Sequence, residues 1–352
     1  MEEDGKSTRV SVSEEISHPE PAPPSPEQTD VEPRDDWGEV RRLALKQLHR
    51  FMALEAKVLR GDSPDAIHDM RVASRRLQAI LDLLYPKPRS QDIRRLRRKI
   101  QRSRRCLSDV RNCDVLDNRV EKILARKRAA RREVWIVVHH FLRERRAASF
   151  EKALRKLGKA NLAVFYVHLK RHLSPEENSL PSPRHLQDGM HAAEPGPGPF
   201  CERVGAALDR TWQGFDAQLA LSHSNPNASV VHGARIATKR LRYLVEIIAE
   251  FGVAGSAEEI IWLRRLQTHL GDWHDLEILE QMMIEIVARP EFLRDHLDLA
   301  LGIEKLIVRN RAIKKNFERD YFRMTLDSPD VQRLKSWVDY LLSSPSAAFT
   351  TA

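Results

Sequence analysis

The sequence predicts an all-α protein, and three observations carry that expectation: a composition poor in sheet formers, apolar residues at helical spacing along most of the chain, and a histidine-arginine segment that occurs twice. Aromatic residues make up only 6% and Gly numbers 14, whereas Leu, Ala, Arg and Glu dominate. That is the composition of helix surfaces and helix cores, not of twisted sheets. With 352 residues and 41% hydrophobic side chains, the chain can bury one large core or two of ordinary size.

Taken in order, residues 1–36 hold six prolines and few large apolar side chains, too little to offset chain entropy, so a disordered tail is expected. Helical text begins at Trp37 and runs to about Arg60. Gly61-Asp62-Ser63-Pro64 then reads as a stop, an N-cap and a first-turn proline. A second helix is expected over about 64–85, ended by Pro86 and Pro88. A third, very basic helix starts near Ser90, and helical text continues through residue 172. Residues 173–199 are rich in Pro and Gly, which is linker composition. Helical text resumes over 200–343. The expected organisation is therefore a tail (1–36), a first helical unit (37–172), a linker (173–199) and a second helical unit (200–343).

Charge narrows the function. Lys and Arg outnumber Asp and Glu by 59 to 50, an excess that attracts nucleic acid, acidic lipid or polyphosphate. The tail carries 11 acids and three bases, a net of −8, so the remainder carries +17 to reach the total of +9. The tail reads as a solubilising segment, with competition for the basic face as the alternative. Cys106, Cys113 and Cys201 show no CxxC spacing and read as reduced thiols. The N-terminus lacks a signal-peptide pattern, and the most apolar stretch, Val134 to Leu142, is too short to span a bilayer. A cytoplasmic protein without a membrane role is expected.

The two units repeat one another. His68-Asp-Met-Arg71-Val-Ala-Ser-Arg75-Arg76-Leu77 matches His232-Gly-Ala-Arg235-Ile-Ala-Thr-Lys239-Arg240-Leu241 at an offset of 164 residues. Further on, Cys106-Leu-Ser108-Asp-Val-Arg111-Asn112-Cys-Asp114 aligns with His269-Leu-Gly271-Asp-Trp-His274-Asp275-Leu-Glu277 at an offset of 163. Kept order and spacing indicate an internal duplication. On a helical projection His68, Arg71, Arg75, Arg76 and Gln78 share one broad face, and Met70, Ala73, Leu77, Ile80, Leu81 and Leu84 form an apolar stripe opposite. In the second copy His232, Arg235, Lys239 and Arg242 oppose Ala237, Leu241, Leu244, Val245 and Ile248.

A charged helix face is often only solvated surface. Here, however, 14 bases stand against four acids between His68 and Arg111, with few acidic partners at i±4 to relieve repulsion. An anionic ligand explains that imbalance better. Arginine can donate two hydrogen bonds to one phosphate, and lysine acts as a mobile point charge. Histidine adds a tightening of binding as pH falls through about 6 to 7.

The pattern His-x-x-Arg-x-x-x-[Arg/Lys]-Arg-Leu, present twice and each time followed by the Leu-x-Asp segment, resembles the CHAD family, the conserved histidine α-helical domain. The resemblance covers about residues 38–343. It implies two pseudo-symmetric antiparallel four-helix bundles around a basic central channel that binds inorganic polyphosphate without catalysis. Carried over by position, it implies ligand contacts from His68, Arg71, Arg75, Arg76, His232, Arg235, Lys239 and Arg240. Arg97, Arg98, Arg105, Arg264 and Arg265 on the following helices are added candidates. The sequence departs from the family pattern at Ser108, where Gly is usual, and at Asn112, where Asp is frequent. The resemblance also suggests an association with polyphosphate granules.

Rival chemistry has less support. His269 and His274 lie near Asp272 and Asp275, and His139 adjoins His140, but no HExxH or Cys/His metal set occurs. No phosphate-cradling loop accompanies His68 or His232, as a phosphoacceptor would need. Neither a cofactor nor a catalytic group is expected. The carboxylates Asp109, Asp114, Asp272 and Asp275 read as helix caps or partners of nearby arginines, and Trp262 and Trp273 as core. Sequence-nonspecific nucleic-acid binding is the alternative function, sharing the same electrostatics, but few aromatics interleave with the bases to stack on nucleotides.

Overall fold

The computed structural model describes residues 35–61, 63–86, 90–126, 130–174, 200–225, 227–345 and Phe349. Most of the expected tail and of the linker lies outside these residues. The first half contributes α1 (Asp36–Ala53), α2 (Glu55–Arg60), α3 (Pro64–Leu84), α4 (Gln91–Cys106), α5 (Ser108–Leu124), α6 (Arg132–Gly158) and α7 (Leu162–Leu173). The second contributes α8 (Phe200–Ser224), α9 (Ala228–Ala249), α10 (Ser256–Val287), α11 (Pro290–Asp295), α12 (Leu297–Thr325) and α13 (Pro329–Ser343). Among the described residues there is no strand, as expected of an all-α protein. None of these helices is long and apolar enough to cross a membrane.

The two helices that carry the repeated segment are each started by a side-chain cap. Ser63 Oγ accepts the Ala66 N–H at 3.2 Å ahead of α3, with Pro64 in the first turn. Asn227 Oδ1 accepts the Val230 N–H at 3.0 Å ahead of α9. Such caps contribute about 1 kcal/mol each. Gly61 ends α2 in the left-handed conformation (φ 73°), which glycine adopts without steric penalty. The apolar stripes read from the projection, Met70 to Leu84 and Ala237 to Ile248, are all buried.

Packing partners recur between the halves: α1 lies on α3 and α7 as α8 lies on α9 and α13, and α5 lies on α6 as α10 lies on α12. The halves meet through α3 with α9, α5 with α10, and α6 with α12. The buried side chains do not divide at the repeat boundary. One cluster joins α1, α3, α4 and α7 with α8, α9, α13 and the start of α10; another joins α5 and α6 with the end of α10 and α12. Each cluster thus draws on both halves. Gly302 lets α12 approach α6, for a Cβ there would lie 2.5 Å from Val134 Cγ2.

One difference between the halves bears on the site. The chain breaks at Leu107, just before Ser108, between α4 and α5, whereas α10 runs unbroken through the corresponding Leu270 and Gly271. Helix propensity alone predicts the reverse, since glycine is the weaker former. The cause is tertiary: Arg71 Nη1 donates to the Arg104 carbonyl at 2.7 Å, and Ser108 Oγ stands 3.3 Å from the same oxygen. Side chains there occupy a carbonyl that helix continuation would otherwise use.

A candidate anion site between the two halves

Where α3 and α9 face one another, basic side chains of both halves come within electrostatic reach. Burial, then Arg75, Arg104, Arg111 and, from the other half, Arg235 drive the Arg71 guanidinium down to about 9. It remains charged at neutral pH, and the depression reflects burial first and the crowding of like charge second. Arg104 is lowered to about 10 by burial, then by Arg75, Arg105 and Arg240. Lys239 is held well below the ordinary lysine range by burial, then by Arg235, Arg75 and Arg71. Burial and Arg75 lower Arg235 as well, against the pull of Asp275.

The histidines flank this cluster in corresponding ways. His68, exposed at the edge, is lowered by burial of its ring and then by Arg111, with Arg75 and Arg71 adding. His232 is lowered by burial, Arg235 and Lys239. It stacks on His274 with ring centroids 5.1 Å apart, and His274 occupies the position in the second half that Arg111 occupies in the first. Burial, Arg235, His232 and Lys239 push His274 down to about 3, so it is neutral at all ordinary pH. In the free protein the histidines therefore titrate below the window expected of unperturbed imidazoles.

Compensation is scarce. His68, Arg75, Arg111, Arg119, His232, Lys239 and Arg240 form no side-chain hydrogen bond or ion pair among the described residues. Arg235 Nε is buried with no hydrogen-bond partner. The carboxylate set among these bases is Asp275, raised to about 6 by burial and by Asp272, and opposed by Arg235, Arg119 and Lys239. His68 and Arg240 are exposed and the others half-buried; a half-buried cation without a partner carries a desolvation cost that an arriving anion offsets.

Most of the remaining candidates have partners of their own. Arg76 and Arg264 both reach Glu246, at 3.4 and 3.0 Å, and Arg242 also pairs with it. Arg76, Tyr243, Glu246 and Arg264 border a cavity of about 380 Å³. Arg97 pairs with Asp82 and donates to the Tyr85 carbonyl at 2.9 Å, closing the end of α3. Arg265 reaches Asp330 at 3.6 Å, and exposed Arg98 donates to the Arg94 carbonyl. Arg105 is exposed at the rim, near Arg104. Arg104, Arg111, Arg119, His274 and Asp275 join the site although motif matching did not select them. For Arg111, His274 and Asp275 the signal was the second aligned segment, where 111/274 and 112/275 are matching positions; Arg104 and Arg119 lie outside it. Asp114, read as a helix cap or an arginine partner, pairs with Arg146 of α6 at 2.6 Å. Trp262 and Trp273 are buried, as core.

The described residues thus form an all-helical fold in which basic side chains of two sequence repeats are gathered where α3 and α9 meet. The chain belongs to the CHAD family: the model of the CHAD domain matches residues 42–283. Its fold is similar to the crystal structure of the CHAD domain from the plant Ricinus communis, with a TM-score of 0.57 and 18% identity over 86% of this chain and 91% of that one. No curated protein sequence matches the chain.

Proposed function

We propose that the protein is a non-catalytic receptor for inorganic polyphosphate. The observation that carries this reading is the set of cations on α3 and α9 that lack carboxylate partners while neighbouring arginines of the same motif have them. A chain of phosphates supplies repeated anionic oxygens to such a row, and each neutralised phosphate releases a counterion. The ligand contacts are His68, Arg71, Arg75, His232, Arg235, Lys239 and Arg240, with Arg104 and Arg111 added. The granule association suggested by the family, and the cytoplasmic location expected from the thiols and the absence of a signal-peptide pattern, belong to the same reading.

Nucleic acid shares the electrostatics but lacks a stacking platform here, because Tyr243 is buried with Arg242 over its ring. The test is a titration with polyphosphates of graded length, followed by competition with double-stranded DNA at equal phosphate concentration. Polyphosphate should bind with a steep salt dependence and resist displacement. Displacement by DNA would favour the nucleic-acid reading, and salt-insensitive binding or none would overturn both.

A further inference from the structure

A second group of ligand-type side chains lies where α5 packs on α6. Asp117 and Glu121, one helical turn apart on α5, meet His139 of α6. His139 Nε2 stands 3.0 Å from Asp117 Oδ1 and 3.7 Å from Glu121 Oε1. One ligand atom from each residue lies within 4.8 Å of the other two. Asp117 Oδ1 and His139 Nε2 are both shielded from solvent, yet neither has a hydrogen-bond partner with acceptable geometry among the described residues. Burial, with Glu121 adding, holds the Asp117 carboxyl above its usual range against His139, Arg143 and Arg146.

The duplication supplies an internal comparison. Asp114 with Arg146 corresponds to Glu277 with Lys314, and Asp117 with Arg143 corresponds to Glu280 with Arg311. In the second half Glu280 is neutralised by two protein cations, Arg311 and Lys314, each at 2.7 Å. In the first half Arg146 turns to Asp114 and the Gly61 carbonyl, while Arg143, mostly exposed, stays 3.8 Å from Asp117. The positions of Glu121 and His139 are held in the second half by Ile284 and Ile307. The first half has thus lost a cation at this carboxylate and added a carboxylate and an imidazole.

We propose that Asp117, Glu121 and His139 bind a divalent transition-metal cation of the zinc type, clasping α5 to α6. One neutral imidazole and two carboxylates suit such an ion in donor type and cancel its charge, and three protein ligands leave a position for water. The site is separate from the anion cluster and independent of the function proposed above.

The test uses the full, tag-free chain, freed of metal with a chelator and titrated with Zn²⁺ in phosphate-free buffer by calorimetry. Titration with Co²⁺ then reports ligand geometry by visible absorption. One ion per chain should bind and raise the melting temperature. H139Q and E121Q should each weaken binding by about tenfold or more, and H140Q, on the exposed neighbour of His139, should not. E121Q changes an exposed side chain, so it decides the question if H139Q fails to fold. Absence of saturable binding, or binding that E121Q and H139Q leave unchanged, would overturn the proposal.

Discussion

Arg71 Nη1 donates to Ser108 Oγ at 2.7 Å, joining the first basic helix to the start of α5. The second repeat has Gly271 where the first has Ser108, and the Nε of the corresponding arginine, Arg235, is buried without a partner among the described residues. Ser108 therefore restrains one of two otherwise matching motif arginines. Replacing Ser108 by Gly should cost about 1 kcal/mol of stability, read by urea denaturation, through the lost hydrogen bond. Polyphosphate affinity should be unchanged or slightly greater. A large loss of affinity would show that the restraint orients Arg71 for the ligand.

Lys239 is mostly buried among arginines and has no partner for its ammonium. Lys239→Met keeps much of the volume and removes the charge, so it should stabilise the free protein by about 1–2 kcal/mol while weakening polyphosphate binding by about tenfold, or ~1.4 kcal/mol. The sign with pH follows from linkage. The folded lysine has the lower pKa, so the unfolded chain binds more protons between the two values, and stability rises with pH across that interval. K239M should lack that rise. Loss of stability in K239M together with unchanged affinity would contradict the assignment.

Asp275 sets a pH dependence for binding. Its carboxyl titrates at about 6, so below that pH the site loses a negative charge while interior phosphates of a long chain stay ionised. Affinity should tighten as pH falls through about 6, and Asp275→Asn should abolish that step and bind about fivefold more tightly at pH 7, on the order of 1 kcal/mol. A raised carboxyl pKa also means that stability is lost as pH rises through about 6, so D275N should be the more stable protein at pH 7 and nearly equal at low pH. His68 and His232, lowered in the free protein, should add a second step at lower pH. Binding isotherms from pH 5 to 8 check both signs.

Glu246 holds Arg76, Arg242 and Arg264, with Arg242 buried. Glu246→Gln leaves that guanidinium without its counter-charge and should destabilise the fold by about 3 kcal/mol, measured as a drop in the urea midpoint. Polyphosphate affinity of the folded variant should stay within about twofold, because these arginines stand outside the central cluster. A tenfold change would return Arg76 and Arg264 to the ligand site.

Much was legible in the residues themselves. The cap at Ser63, the apolar stripes of α3 and α9 and the duplicated motif all follow from local chemistry and spacing, and so did the family. The division of the motif's basic residues was not legible. Arg75 and Arg76 are adjacent in sequence, yet Arg75 enters the uncompensated cluster and Arg76 turns to Glu246 of the other half. Nor could spacing reveal that the Leu107 break belongs to the serine-containing copy.

The sequence by itself determined an all-helical, duplicated, basic protein, because helix periodicity, capping and charge excess are properties of neighbours along a chain. Tertiary structure alone decided which cations are neutralised. Ion pairing depends on carboxylates brought from distant helices to within about 4 Å, a distance at which the interaction changes steeply with placement and burial. No pattern within a single helix encodes that.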